Sequence, residues 1–272
     1  MERNIRAIFA VVCLFLFAFV SQAQQIRQLE AVKIPKQIGC ISSDPYGFIY
    51  LTDITGNIYK IDSLGKQFVL ASPPRRGQIT SIEAYRNVNI FVFYSEYQVY
   101  YYYDRFLNPS QSLSFSTSAV GFARIATSSL DQNVWLVDDQ DFSLKKYNST
   151  YLSVDINTPL DLIIDPEQYN MNFMREYQNL LFINDANSGV LIFDNMGNYK
   201  TRIPVTGLTY VSFSEEDLVF LKDGSLHLIN IYTYKERIYT NPIFTGATGV
   251  ILINNRLYVT TKDAVLINFF KE

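Results

Sequence analysis

The sequence predicts an all-β protein: six units of four short strands set in a ring that an N-terminal strand closes. Three observations carry this expectation. Strand-like runs with an aromatic in second or third place recur, their aromatics at 50, 91, 135, 182, 220 and 258, in steps of 38 to 47 residues. Each run is followed by a turn and a second β-rich run. The last unit shows only three strands, while a polar–apolar alternation at 26–34 has no hairpin partner of its own. Short antiparallel strands at this period fit a six-bladed β-propeller, and adding the orphan strand to the final blade removes two exposed edges.

Taken in chain order, the first element is a targeting segment. Arg3 and Arg6 precede an unbroken apolar run at 7–20, and Ser21-Gln22-Ala23 supplies the small residues that signal peptidase needs. The 14 apolar residues fall short of the roughly 20 that span a bilayer, so residues 1–23 read as a cleaved signal peptide. The expectation is a single propeller domain over 24–272, periplasmic or secreted, with no membrane span of its own. Cleavage removes Cys13 and leaves Cys40 alone, which predicts no internal disulfide.

The first blade is the clearest, with strands at 38–42, 48–52, 58–61 and 67–71, joined at Pro45-Tyr46-Gly47, Thr55-Gly56-Asn57 and Ser63-Leu64-Gly65. Central strand pairs follow at 90–93 with 99–102, 134–138 with 144–147, 181–185 with 190–193, 219–223 with 226–229 and 257–260 with 265–267. Asn187-Ser188-Gly189 and Asp223-Gly224 are hairpin turns. The final unit runs through 250–253, 256–260 and 264–269, and 26–34 completes it.

Composition excludes several functions. A formal charge of −3 without a basic block speaks against nucleic acid as a partner. One histidine and two cysteines leave little for a zinc site or a thiol catalyst. Neither a Gly-x-Ser-x-Gly elbow nor a phosphate loop is present. His227 stands alone between Leu226 and Leu228, facing away from both on an alternating strand. No catalytic residue, cofactor or metal ligand is expected.

Two patterns invite functional readings. Asp53, Asp138, Asp185 and Asp223 recur at one position of the repeat; as a ring they could hold Ca²⁺, and as turn caps they would accept backbone N–H groups. Their place at the start of a turn favours the cap. Two aromatic stretches interrupt the repeat. In 166–177, Tyr169, Met171, Phe173, Met174 and Tyr177 lie in what reads as a connecting loop, which either binds a protein or folds over its own blade. In 94–106, Tyr97, Tyr101 and Tyr103 belong to a run of six tyrosines, some packing between blades and others exposed to a protein or a glycan.

The stretch from Asp44-Pro45-Tyr46-Gly47-Phe48-Ile49-Tyr50 to Asp53, then Gly56-Asn57-Ile58-Tyr59-Lys60-Ile61-Asp62 and Gly65, resembles the blade signature of six-bladed propellers of the NHL and TolB-like superfamily. That resemblance implies the fold, which hosts lactonases, lyases, receptors and scaffolds alike. The Asn-, Ile- and Tyr-rich composition, Gln24-Gln25 after the signal peptide and Asp62-Ser63-Leu64 resemble secreted propellers of Bacteroidota. This second resemblance implies an accessory subunit of an outer-membrane complex such as the type IX secretion translocon. The leading expectation is a non-enzymatic, exported propeller that binds a protein partner in a cell-envelope assembly, an outer-membrane translocon or transporter. The alternatives are a calcium-dependent hydrolase or lyase, and a glycan-binding propeller.

Overall fold

A run such as Val134-Trp135-Leu136-Val137 has no polar side to turn to water, so a sheet built on it must be covered on both faces. The ring supplies that cover. The computed structural model describes residues 26–73, 77–86 and 89–271, and the expected signal peptide lies outside them. Among the described residues, 24 strands form six four-stranded antiparallel sheets, with a single 3₁₀ turn at Pro242–Phe244.

Blade 1 is β2 (Ile38–Ser43), β3 (Ile49–Asp53), β4 (Ile58–Ile61) and β5 (Gln67–Ala71). Blade 2 is β6 (Ser81–Glu83), β7 (Ile90–Tyr94), β8 (Val99–Tyr103) and β9 (Leu113–Ser114). Blade 3 is β10 (Ala123–Ser128), β11 (Val134–Asp138), β12 (Ser143–Asn148) and β13 (Ser153–Pro159). Blade 4 is β14 (Met171–Tyr177), β15 (Leu180–Asp185), β16 (Gly189–Asp194) and β17 (Tyr199–Ile203). Blade 5 is β18 (Val211–Ser214), β19 (Asp217–Lys222), β20 (Ser225–Asn230) and β21 (Glu236–Thr240). Blade 6 is β22 (Gly249–Ile253), β23 (Arg256–Thr260), β24 (Ala264–Phe270) and, on its outside, β1 (Ile26–Lys33).

Closure follows the sequence expectation. β1 pairs antiparallel with β24 from Ile26 opposite Phe270 to Lys33 opposite Ala264, with a bulge between Gln28 and Glu30. The Ile34 and Ile38 N–H groups then donate to Asp263 and Lys262, clasping blade 6 to the start of blade 1. Gly65, at φ +81°, sits so close to β1 that a Cβ there would lie 2.8 Å from Glu30 Cγ and 2.9 Å from Val32 Cγ2.

The core lies between blades. Six apolar clusters each draw on two neighbouring blades: Tyr50 and Ile58 meet Val92 and Tyr94, Phe91 meets Val134, and Trp135 meets Met174. Phe182 meets Phe213, Val219 meets Val250, and Ile251 closes on Leu51. Hence β3, β7 and β11 are buried along their whole length, while the outer strands β13 and β21 alternate between half-buried and exposed. The two inner faces of each blade read as continuous apolar runs for this reason.

Antiparallel order gives the ring two faces. Connections from second to third strand, and those passing to the next blade, emerge on one side, the crossover face. The first-to-second and third-to-fourth turns emerge on the other, the turn face.

Candidate functional site

The first strands of blades 1, 2, 3, 4 and 6, with Thr209 and Tyr210 at the entry to blade 5, line a central cavity of about 820 Å³. Its floor, toward the turn face, is a brace: Arg175 near the end of β14 donates to Glu83 at the end of β6 and to Ser42 of β2. Ser42 in turn accepts the Ala84 N–H, and the Tyr210 hydroxyl donates to the Ile41 carbonyl. Blades 1, 2 and 4 and the segment entering blade 5 thus meet across the axis. Burial pulls the Arg175 pKa down, but the Glu83 carboxylate outweighs it and the net shift is upward.

At the crossover mouth, Arg124 grips both carboxylate oxygens of Asp139, at 2.7 and 2.6 Å. The Tyr169 hydroxyl donates to the same Asp139 at 3.0 Å, and the guanidinium carbon lies 4.9 Å from the Tyr169 ring centre. Cys40 lines the wall. Its thiol donates to the Ile79 and Thr80 carbonyls, and burial pushes its pKa up to about 11, far from thiolate chemistry at neutral pH. His227 stands on β20, the third strand of blade 5, stacked on Phe220 with Nδ1 2.7 Å from Glu236.

Two of the recurrent aspartates cap the turns that follow their strands. Asp53 accepts from Thr55 and Asn57, and Asp138 from Gly121, Phe122, Gln140 and the Lys145 ammonium. Asp185 accepts the Asn170 N–H while its other oxygen is buried with no hydrogen-bond partner among the described residues, whereas Asp223 sits exposed in the two-residue β19–β20 hairpin. Among the described residues no three His, Cys, Asp or Glu side chains converge as a cation site.

The aromatic stretches require a correction. Met171–Tyr177 is the channel strand β14, and a connecting loop only up to Asn170. Met171 and Met174 are buried in the blade 3–4 core, and Tyr177 is buried with its ring stacked on Phe213 at 4.5 Å and its hydroxyl on the Glu215 carbonyl. Phe173 is half-buried on the channel wall against Tyr210, and Tyr169 half-buried at its mouth. Tyr101 and Tyr103 are buried between blades 1 and 2, leaving Tyr97 exposed on the crossover face. The reason is the sheet itself: on a blade covered on both sides, neither alternating set of side chains faces water.

The exposed apolar surface lies elsewhere, and the sequence reading missed it. Of the nineteen large exposed hydrophobic residues among the described ones, ten stand on the turn face. Five of these occupy one position, two residues after an Asp or Asn whose side-chain oxygen accepts their N–H. Tyr46 follows Asp44 in this way, Leu64 follows Asp62, Phe106 follows Asp104, Met196 follows Asp194 and Tyr232 follows Asn230. The turn needs only that N–H, so nothing local asks for an apolar side chain. Yet all five are apolar and 52% to 73% exposed. Two polar residues hold the same position, Asn133 after Asp131 and Thr150 after Asn148, the latter followed by Tyr151, whose N–H the same Asn148 oxygen accepts. The legible signal was Asp/Asn-x-apolar before a second or fourth strand.

No protein-family model and no curated sequence matches this chain. Solved structures do share its fold. A streptogramin B lyase superposes with a TM-score of 0.63 at 11% identity, over 92% of this chain and 100% of that one. Virginiamycin B lyase from Staphylococcus aureus gives 0.61 at 9%, over 90% and 100%. The WD40 domain of Neurospora crassa Pan2 gives 0.61 at 11%, over 92% and 97%. Enzymes and WD40 domains stand side by side in this likeness, and at such identities it establishes the six-bladed propeller fold alone.

Proposed function

We propose that this chain is an exported, non-enzymatic propeller that docks a protein partner on its turn face, as a subunit of a cell-envelope assembly such as an outer-membrane or secretion complex. The observation that carries the reading is the array of Tyr46, Leu64, Phe106, Met196 and Tyr232, presented on five separate turns of blades 1, 2, 4 and 5. Exposed apolar residues scattered singly need no explanation, but a set repeated at one turn position on one face is an interaction surface. Aromatic and methionine side chains are the types enriched at such interfaces.

The channel supports the non-enzymatic part. Of the acids at it, Glu83 is engaged by Arg175 and Asp139 by Arg124 and Tyr169, Glu96 is exposed at the crossover mouth, and the histidine lies two strands away. General acid–base work needs a group free to exchange its proton within reach of a ligand. Export rests on the sequence at 1–23. Affinity purification from the native envelope in mild detergent tests the reading: a defined partner is recovered with the native chain, rebinds when purified, and is lost from the folded triple variant Leu64→Ser, Phe106→Ser and Met196→Ser. Recovery of a monomer alone, or unchanged rebinding by the variant, overturns it.

A further inference from the structure

Within the turn face, between blades 1 and 2, lies a cavity of about 280 Å³ with Tyr46, Phe48, Tyr50, Lys60 and Arg105 on its walls. Lys60 is 92% buried by its 8% exposure, and its ammonium lies 4.3 Å from the Phe48 ring centre and 5.2 Å from that of Tyr50. Of its three N–H donors, one reaches the Arg105 carbonyl at 2.9 Å. Among the described residues no carboxylate comes within ion-pair distance of it. Asp44 is the acid on the cavity wall, and its oxygens are taken by the Tyr46 and Phe48 N–H groups and the Tyr50 hydroxyl. The Arg105 guanidinium stacks on Phe106 at 4.8 Å, with no ion pair among the described residues.

A buried cation without a counter-ion is costly, and proteins ordinarily pair it. Here burial is the largest effect on Lys60 and draws its pKa below the ordinary lysine value, with Arg105 adding to the shift and Asp44 and Asp104 opposing it. On the walls Lys60 and Arg105 face one carboxylate, Asp44, and the nearby Asp104, outside the lining, spends its oxygens on Phe106 and Asn108, so the two unused N–H groups of Lys60 suit an anionic acceptor. The cavity's aromatic walls suit the carbon atoms that carry such a charge, and its width suits one side chain.

We infer that this cavity is the anchor socket of the docking face and takes a carboxylate of the protein partner. The inference rests on the turn-face reading above and names the chemistry at one point of it. The carboxylate accepts from the free N–H groups of Lys60 and from Arg105, while its carbon stem lies against Phe48 and Tyr46. Charge-assisted hydrogen bonds of this kind give an interface its register.

The test uses residues 24–272 with ¹³C-labelled lysine and four probes: N-acetyl-phenylalanine, its amide, N-acetyl-glutamic acid α-amide and inorganic phosphate. The two carboxylate probes are expected to shift the Lys60 Cε signal saturably and the amide to leave it still. The stronger of the two separates a chain-terminal carboxylate from an acidic side chain. Lys60→Met should weaken carboxylate binding by about tenfold or more and Lys60→Arg should retain part of it. Arg105→Gln, on an exposed turn, gives a second reading should Lys60→Met fail to fold. Equal response to the amide, preference for phosphate, no saturable Lys60 shift, or undiminished affinity in the folded variants overturns the socket. Those results leave the docking face intact if the Leu64, Phe106 and Met196 serines still abolish partner recovery, so the two readings fail separately.

Discussion

Asp53 ends β3 on the crossover face and accepts the N–H groups of Thr55 and Asn57; nine residues on, Asp62 ends β4 on the turn face and accepts those of Leu64 and Lys66. The two caps share one backbone geometry. They differ in what surrounds it. Asp53 is fully buried and also takes the Tyr59 hydroxyl and the Asn57 amide, while Asp62 stands at the surface with Leu64 thrust outward. Across the ring the second residue after the cap is Thr55, Gln140 or Glu167 on the crossover face, with Ile243 drawn into the blade 5–6 core. On the turn face it is Tyr46, Leu64, Phe106, Met196 and Tyr232, with Asn133 and Thr150 the polar members. The cap is therefore a property of the fold, and the residue it presents is free to serve something else.

The comparison depends on a closed ring that holds both faces in register, and the most severe break is to open it. A chain beginning at Pro35 lacks β1, leaves β24 with an unpaired edge, and is expected to aggregate or to melt far below one beginning at Gln24. Size-exclusion chromatography and a thermal melt decide; a soluble, monomeric, equally stable product would show that β1 is dispensable to closure. Next in size is the floor of the channel. Arg175→Met strands the Glu83 carboxylate in the core and should cost about 3–5 kcal/mol by denaturant unfolding, and adding Glu83→Leu should restore part of it.

Asp138→Ala probes a buried crossover cap. It frees the Gly121 and Phe122 N–H groups and half of the Lys145 pairing, and should cost about 2–4 kcal/mol. The same site sets an acid limit. Burial alone would raise the Asp138 pKa, but the Lys145 ammonium and the N–H groups of Phe122, Gly121 and Gln140 outweigh it and hold it below the usual carboxylate value. Its contribution is therefore complete above the unfolded pKa of about 3.9 and fades as pH falls through the lower folded value. Asp138→Asn should flatten the loss of stability on the acid side of about pH 4, and an unchanged slope would remove the linkage. Smallest in stability are the turn-face residues: Leu64→Ser or Phe106→Ser should move unfolding by no more than about 0.5 kcal/mol. A larger loss would mean that these side chains support their own blades.

Much of the fold was legible in the sequence. The aromatic step of 38 to 47 residues, the three-stranded last unit and the orphan alternation at 26–34 specify ring size, strand count and closure, because β-sheet hydrogen bonds need a partner for every edge. The turn signals Thr55-Gly56-Asn57 and Asp223-Gly224 fall where hairpins form. Asp53 and Asp138 were legible as caps because each stands where a strand stops, whereas Asp185 and Asp223 stand at the same repeat position without capping the turn that follows.

Which aromatics face water was decided by tertiary structure. Tyr101, Tyr103, Met174 and Tyr177 carry the composition of a binding surface, but blades on either side cover both faces of their strands and turn them into core. Leu64, Phe106 and Met196 look in sequence like single apolar residues in polar turns. Only the antiparallel order of the blades sends those turns to one side, and closure of the ring holds that side as one face. Local chemistry chose each cap and each strand, and the long-range pairing of β1 with β24 gave the caps a common face.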